Sequence, residues 1–375
     1  MLNSIAAVNK PRILYLSPPV PKRRLTMNSF WQAFLEQQGA AWNHDGFQTN
    51  FATPPADRPW LMDLSYQGIL GCDGEAAEKF LQGQLTCNVA ALNASTSGLG
   101  GLCNPKGSLL SLFRLLKSDS GYLFGMRREL VEPTKAVLSK YIVFFKAQLQ
   151  DRSDEVIRLG LAGKGADNIL YALFDAAPEH VDDVLTIDGG WIIRVAGEQP
   201  RFELWLQPEV AKKLWVPLTE HANLASSEHW EALEIAAALP DLTLATREQH
   251  IPQMMNLQAI GGVSFKKGCY TGQEIVARMQ YLGKLKRHLF RAEVSTSSRP
   301  SAGQTIHCQS KEDLGQVVRV AQLSDGRYAL LAVLYKQEAE GEPCWLAGDE
   351  SAVLDIQPLP YTIDPEVFER NRPKL

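Results

Sequence analysis

The sequence predicts an α+β fold of several domains: two split, ferredoxin-like α+β units followed by a small barrel- or sandwich-like β unit. Three observations predict it. The 375 residues are more than one hydrophobic core organises, so two or three domains are expected. From Trp60 to about residue 220, strand-like and helix-like runs come in the order strand, helix, strand, strand, helix, and that order occurs twice. From Leu289 onward the chain reads as short alternating strands, with a hairpin signal at Ser324-Asp325-Gly326.

Composition narrows the class. Hydrophobic residues make up 45% and charged residues 21%, as in ordinary globular proteins. A net charge of −4 and a pI near 6.0 exclude a general nucleic-acid-coating surface but leave room for a local basic patch. The six cysteines are scattered without a C-x-x-C pair, which fits free thiols in a reducing cytoplasm. The seven histidines show no metal-ligand spacing, so no metal is expected. No apolar run approaches the ~20 residues that a membrane span needs. A cytoplasmic monomer without membrane contact is expected.

In chain order, residues 1–26 carry five basic residues, no acid and several prolines, and are expected to be a disordered or non-native extension before Met27. Residues 28–38 read as an amphipathic helix with Phe30, Trp31, Phe34 and Leu35 on one face, capped by Asn28 or Ser29. Pro54-Pro55 and Pro59 mark a linker. Residues 61–70 read as a strand and turn, 75–84 as a helix, and 98–103 and 108–116 as strands joined at Asn104-Pro105-Lys106-Gly107. A strand at 122–126 and a helix at 127–140, with Tyr141 facing inward, complete the first unit. The second begins near Asp151, with strands at 156–162, 191–196 and 201–207 and helices at 166–174 and 209–220. Gly160-x-x-Gly163-Lys164-Gly165 lacks the spacing of a phosphate loop and reads as a strand-to-helix turn. Residues 227–239 read as a helix ended by Pro240. A stretch without regular periodicity then leads to the residues that carry the chemistry.

Those are Lys266-Lys267-Gly268-Cys269-Tyr270-Thr271-Gly272-Gln273-Glu274. The run follows an apolar, strand-like stretch and precedes a helical pattern. Thr271 and Glu274 have the spacing of a capping box. A helix N-terminus and two lysines beside Cys269 favour thiolate over thiol. The plain alternative is a small buried cysteine in an ordinary turn. Further on, Lys284, Lys286, Arg287, His288 and Arg291 read as a solvated strand edge or as a phosphate-contacting patch.

Residues 267–274, together with Phe80-Leu81-Gln82-Gly83-Gln84-Leu85-Thr86, Pro105-Lys106-Gly107, Ile251-Pro252-Gln253 and Asn256-Leu257, resemble the YgfZ family of folate-binding proteins, relatives of the aminomethyltransferase of the glycine cleavage system. The resemblance covers residues 60–360. It implies two ferredoxin-like domains and a C-terminal β-barrel around a central opening that holds tetrahydrofolate. The division it suggests is 27–150 (first domain with the N-terminal helix), 151–235 (second domain), 236–290 (returning segment with the cysteine motif), 291–360 (barrel) and 361–375 (tail). It also implies an accessory role toward iron–sulfur enzymes, including those that thiomethylate tRNA, with an indirect link to tRNA itself. Carried over residue by residue, Cys269 is the reactive thiol, Lys267 supports its thiolate, and Tyr270 and Arg278 shape the surroundings. Trp230 stands where the bacterial family has a folate-contacting tryptophan. The second such position holds Gln67 beside Tyr66. Glu203 matches a glutamate that binds the pterin. A core tryptophan and a solvated strand glutamate are the plain alternatives at Trp230 and Glu203. The aminomethyltransferase has an aspartate pair on the strand matching Ser108-Leu109-Leu110-Ser111-Leu112, and this chain has none. Glycine-cleavage chemistry is therefore not expected. A folate-dependent one-carbon transferase with another acceptor, and a direct tRNA binder using residues 284–291, are the alternative readings.

Overall fold

The computed structural model describes residues 28–43, 48, 57–282 and 284–363. The N-terminal extension, the Pro54-Pro55 linker and residues 364–375 lie outside them. The first helix, Ser29–Gln37, is capped by Asn28, whose side chain accepts from the Trp31 amide at 2.8 Å. Trp31 and Leu35 are its buried face. Trp31 meets Trp215 edge-on at 5.5 Å, and its indole N–H donates to Asp63 at 2.9 Å. The helix thus packs on the second α+β unit and not, as its place in the chain suggests, on the first.

The expected strand at 61–70 is two strands in two different sheets. Trp60–Asp63 ends at a turn in which Asp63 accepts from the Ser65 hydroxyl at 2.7 Å and from its amide at 3.2 Å. This local side-chain bonding redirects the backbone, and Gln67–Asp73 then enters the other sheet. The first sheet has the order Ser97–Cys103, Leu109–Ser118, Gly121–Arg127, Gln67–Asp73, Gln148–Asp151, antiparallel throughout. The second has the order Val184–Ile187, Gly190–Arg194, Arg201–Leu206, Ile157–Ala162, Trp60–Asp63, Asn223–Ala225. With Trp60–Asp63 set aside, the two orders are the same, so the duplication suggested by the element sequence is visible in the sheets. Apart from that strand each unit has five strands, one more than the split unit expected. Trp60–Asp63 wedges between Ile157–Ala162, antiparallel, and Asn223–Ala225, parallel.

The third sheet runs Asp349–Val353, Cys344–Leu346, Thr305–Cys308, Lys311–Gln322, Tyr328–Tyr335, Arg287–Val294, Asp355–Gln357. Among the described residues no ladder joins its two ends, so the expected barrel is not closed by hydrogen bonds. Its strand Tyr328–Tyr335 is buried on both faces. Leu330, Ala332 and Leu334 enter the sheet's own core, and Ala329, Leu331 and Val333 pack into the core of the first unit. A period of two places alternate residues on opposite faces, so this one strand cements two units. The helix Ser227–Ala236, capped by Ser226, contributes Trp230 to a core cluster with Trp205 and Ile235 to the core of the first unit. Tyr141, expected inward, is 41% exposed at the end of the helix Arg128–Ile142.

Candidate functional site

Where the three units meet, two cavities adjoin, an inner and an outer lobe. The inner lobe is lined by Gln67, Leu112, Phe113, Arg158 and Glu203, among others. The outer lobe, about 760 Å³, includes Trp60, Leu233, Arg291 and residues 358–361. Leu99, Arg114, Leu239 and Ile260 line both.

Single arginines inside apolar strands build the floor. Arg158 lies between Ile157 and Leu159, and its guanidinium donates to Glu203. The same Glu203 oxygen, Oε2, accepts from the Trp205 indole at 2.7 Å. Arg158 also stacks 4.8 Å from the Trp205 ring centre, while its Nε and Nη1 are buried without a partner. Burial pushes the Glu203 carboxyl up, but Arg158 and Arg114 more than reverse this and hold it below its ordinary value. From the lining an ionic network runs inward to the wholly buried Glu231. Glu231 accepts from the Tyr66 hydroxyl at 2.6 Å, from Arg127 at 2.7 Å and from Arg319 at 2.7 and 2.8 Å. Burial opposes its charge, yet Arg127 and Arg319 bring the Glu231 carboxyl down to about 2. Arg319 also reaches Glu234 at 3.1 Å, Arg201 pairs with Glu234, and Arg127 meets Asp241 at 2.6 Å. The members come from the first sheet (Arg127), the second (Arg201), the third (Arg319) and the helix that joins them (Glu231, Glu234).

The residues singled out in the sequence fall into three places. Gln67 and Glu203 line the inner lobe. Tyr66 and Trp230 lie behind it. Tyr66 is bonded into the ionic network and carries Arg127 5.1 Å above its ring. Trp230 has no exposed surface, is pressed against Gly160 and has Arg201 4.4 Å from its ring centre. The other four residues sit on the motif segment and its helix, outside the lining of either lobe.

That segment is irregular; neither the apolar run before it nor Cys269 itself lies in a strand, and the helix begins at Gln273. Exposure alternates along it. Lys267 and Tyr270 are buried, whereas Lys266, Gly268 and Cys269 are exposed. The hydrogen bonds of Lys267 go to the backbone and not to Cys269. Its ammonium donates to the carbonyls of Leu85 at 2.7 Å and Cys87 at 2.8 Å and lies 5.3 Å over the Tyr270 ring. Burial lowers its pKa to about 8. Nor does Thr271 form the expected capping box. Its hydroxyl donates to Gln84 at 3.3 Å, and the Gly272 carbonyl receives the first helical bond, from Val276. Arg278 is exposed on the helix Gln273–Leu282. Burial pushes Cys87 up to about 11 and Cys103 up to about 12, which keeps those thiols neutral. Cys269 is the exposed cysteine of the six.

The four sequence segments singled out together converge here. Thr86 donates to the Gly262 carbonyl at 2.6 Å, Gln253 to the Val276 carbonyl at 2.6 Å and Asn256 to the Leu289 carbonyl at 3.1 Å. Gly272 (φ +83°) lies so close to the Asn104-Pro105-Lys106-Gly107 turn that a β carbon would come within 2.5 Å of the Asn104 carbonyl oxygen. The basic run from Lys284 is partly neutralised. Arg287 stacks on Tyr335 at 4.3 Å and faces Asp313 at 3.5 Å, and Arg291 turns to the cavity. Among the described residues, no cluster of His, Cys, Asp and Glu is arranged to hold a metal, and no helix is long and apolar enough to cross a membrane.

Comparison with models of protein families returns no match. The tRNA-modifying protein YgfZ of Klebsiella pneumoniae (strain 342) is 34% identical over 307 residues, which cover 81% of this chain and 93% of the relative. Its counterpart in Enterobacter sp. (strain 638) is 36% identical over 309 residues, covering 81% and 94%. Among solved structures, the glycine cleavage system aminomethyltransferase T from Bartonella henselae superposes with a TM-score of 0.70 at 16% identity, over 88% of this chain and 96% of that one. That likeness establishes the fold alone. The identity to the bacterial relatives, along nearly their full length, shows that the chain belongs to the family of the tRNA-modifying protein YgfZ.

Proposed function

We propose that the chain is a tetrahydrofolate-binding accessory protein that supports iron–sulfur enzymes and, through them, the thiomethylation of tRNA. The observation that carries this reading is the inner lobe around Glu203. One oxygen of that carboxylate takes both the Arg158 and the Trp205 donors, which leaves the other to accept from one donor of a pterin, its exocyclic amine or its ring N–H. Leu112, Phe113 and Met126 supply apolar wall and Gln67 an amide. The chemistry of this lining, apolar with a few convergent polar groups, suits a small heteroaromatic ligand, but the lobe holds about 60 Å³, so a pterin enters it only if the lining side chains move apart. Membership of a family whose relatives are named for tRNA modification supports the cellular role.

The alternative, a one-carbon transferase, needs a carboxyl free to move a proton. The strand Leu109–Ser118 presents Leu112, Phe113 and Arg114 to the inner lobe. The acids that do line this lobe are each held by arginine: Glu203 by Arg158, Glu234 by Arg201 and Arg319, Asp241 by Arg127. The lobe is therefore better suited to holding a folate than to transforming it. Chemistry is assigned to Cys269, whose exposed thiol can attack an electrophile, carry sulfur or cycle in redox state. The tRNA link runs through client enzymes.

The test is titration of the purified protein with tetrahydrofolate, followed by tryptophan fluorescence. Saturable binding is expected, weakened roughly tenfold or more in Glu203→Gln. Absence of binding by the wild type overturns the reading. In a deletion strain, full recovery of thiomethylated tRNA by Cys269→Ser overturns the thiol's part in it.

A further inference from the structure

The outer lobe has a feature that a pterin site does not use. Three arginines line it: Arg114, Arg201 and Arg291. Arg114 is taken by Asp182 and by the Ser97 hydroxyl at 2.9 Å. Arg201 is taken by Glu234 and by the Leu233 carbonyl at 2.7 Å. Arg291 has no carboxylate partner among the described residues. Its Nη1 donates to the Ala236 carbonyl at 2.8 Å, its Nε is buried without a partner, and its Nη2 makes no hydrogen bond among the described residues.

The arginine is firmly placed. It stands in the strand Arg287–Val294, paired with Leu331 on one side and Gln357 on the other. The acids in the same lining do not neutralise it. Asp182 belongs to Arg114, and Glu198 is exposed on the loop at residues 197–199. The surrounding wall is largely apolar, with Trp60, Leu233, Pro358 and Leu359. A cation in such a wall, with part of its fork unused, is a receptor for an anion.

We propose that the outer lobe takes the acidic tail of the ligand and that Arg291 meets a carboxylate there. The proposal rests on the folate reading and extends it to the glutamyl end of the molecule. The two lobes adjoin, with Leu99, Arg114, Leu239 and Ile260 in both linings. In this proposal a ligand anchored at Glu203 by its heteroaromatic end passes these shared residues into the outer lobe, whose volume of about 760 Å³ lies within the ~300–1,000 Å³ of small-molecule sites. Glu203 and Arg291 read opposite ends: an acceptor for a pterin donor and a donor for the tail's acceptors.

The experiment pairs two ligands with three proteins. Tetrahydrofolate and tetrahydropteroate, which lacks the glutamate, are titrated into wild type, Arg291→Leu and Arg291→Lys by calorimetry. The wild type is expected to bind tetrahydrofolate roughly tenfold more tightly than tetrahydropteroate. Arg291→Leu is expected to lose that preference with its affinity for tetrahydropteroate unchanged, and Arg291→Lys to keep part of it. Equal affinity of the wild type for both ligands, or an equal loss for both in Arg291→Leu, overturns the assignment and leaves the folate reading standing. Failure of both ligands to bind the wild type overturns the folate reading and this assignment with it.

Discussion

Replacing Glu231 with glutamine removes one negative charge from the centre of the ionic network without changing the side chain's shape. The magnitude follows from the surroundings. Glu231 is wholly buried and faces Tyr66, Arg127 and Arg319. Its carboxyl is held at about 2 against an ordinary 4.5; at roughly 1.4 kcal/mol per pH unit this difference is worth about 3 kcal/mol. An independent figure agrees: removing one partner of a buried ion pair costs about 3–5 kcal/mol, because the remaining charges stay buried. At about 2–4 °C per kcal/mol, Glu231→Gln should melt about 6–12 °C below the wild type at pH 7 in scanning calorimetry. The folded value lies below the unfolded one, so the stabilisation is present above about pH 4.5 and is lost as pH falls towards 2. The gap between wild type and variant should therefore close across that window. A gap below about 2 °C at pH 7, or one that persists unchanged at pH 2.5, refutes the reasoning.

Three further outcomes are expected. Gly272→Ala should lose about 1–3 kcal/mol of stability, since its φ is +83° and its β carbon would meet the Asn104 carbonyl at 2.5 Å; Gly268→Ala, with nothing within 4 Å, should stay within about 0.5 kcal/mol, and equal melting points would contradict the close packing of the two turns. Lys267→Met leaves the Leu85 and Cys87 carbonyls without their donor and should destabilise by about 1–3 kcal/mol at pH 7. Because burial lowers the folded pKa of Lys267 to about 8 from an ordinary 10.5, the wild type should gain stability relative to this variant between those pH values, and a flat difference would argue against the buried cation. Brief alkylation of the native protein should tag Cys269 and spare the five buried cysteines, as read by peptide mass mapping; rapid tagging of Cys87 or Cys103 would contradict their burial.

Much of the element sequence was legible because the apolar periodicities are strong. Helices such as Arg128–Ile142 and Ser227–Ala236 fall where the pattern puts them, within a few residues. The place of Trp60–Asp63 was not legible. Four mostly apolar residues suit either sheet, and what decides is pairing with residues about a hundred or more positions away. The backbone partners of Lys267 were not legible either, because nearness in sequence suggested nearness of charge to thiol. In an extended segment, residues two apart need not share surroundings, and here one is anchored inward while the other is exposed. The ionic network did leave a trace in the sequence: Arg114, Arg158 and Arg319 each interrupt an apolar strand. A charge in such a place is buried with a partner or faces a cavity, and these arginines do both.

The wedge of Trp60–Asp63 between Ile157–Ala162 and Asn223–Ala225 has a consequence during synthesis. At roughly 5–20 residues per second, the strand leaves the ribosome some five to twenty seconds before Ile157–Ala162, the first of its two neighbours, exists. For that interval Leu61 and Met62, buried in the finished protein, have nowhere to go. The nascent chain must carry an unpaired apolar segment past the whole of the first sheet, and a chaperone that shields it co-translationally should raise the yield of folded protein more than one added after release.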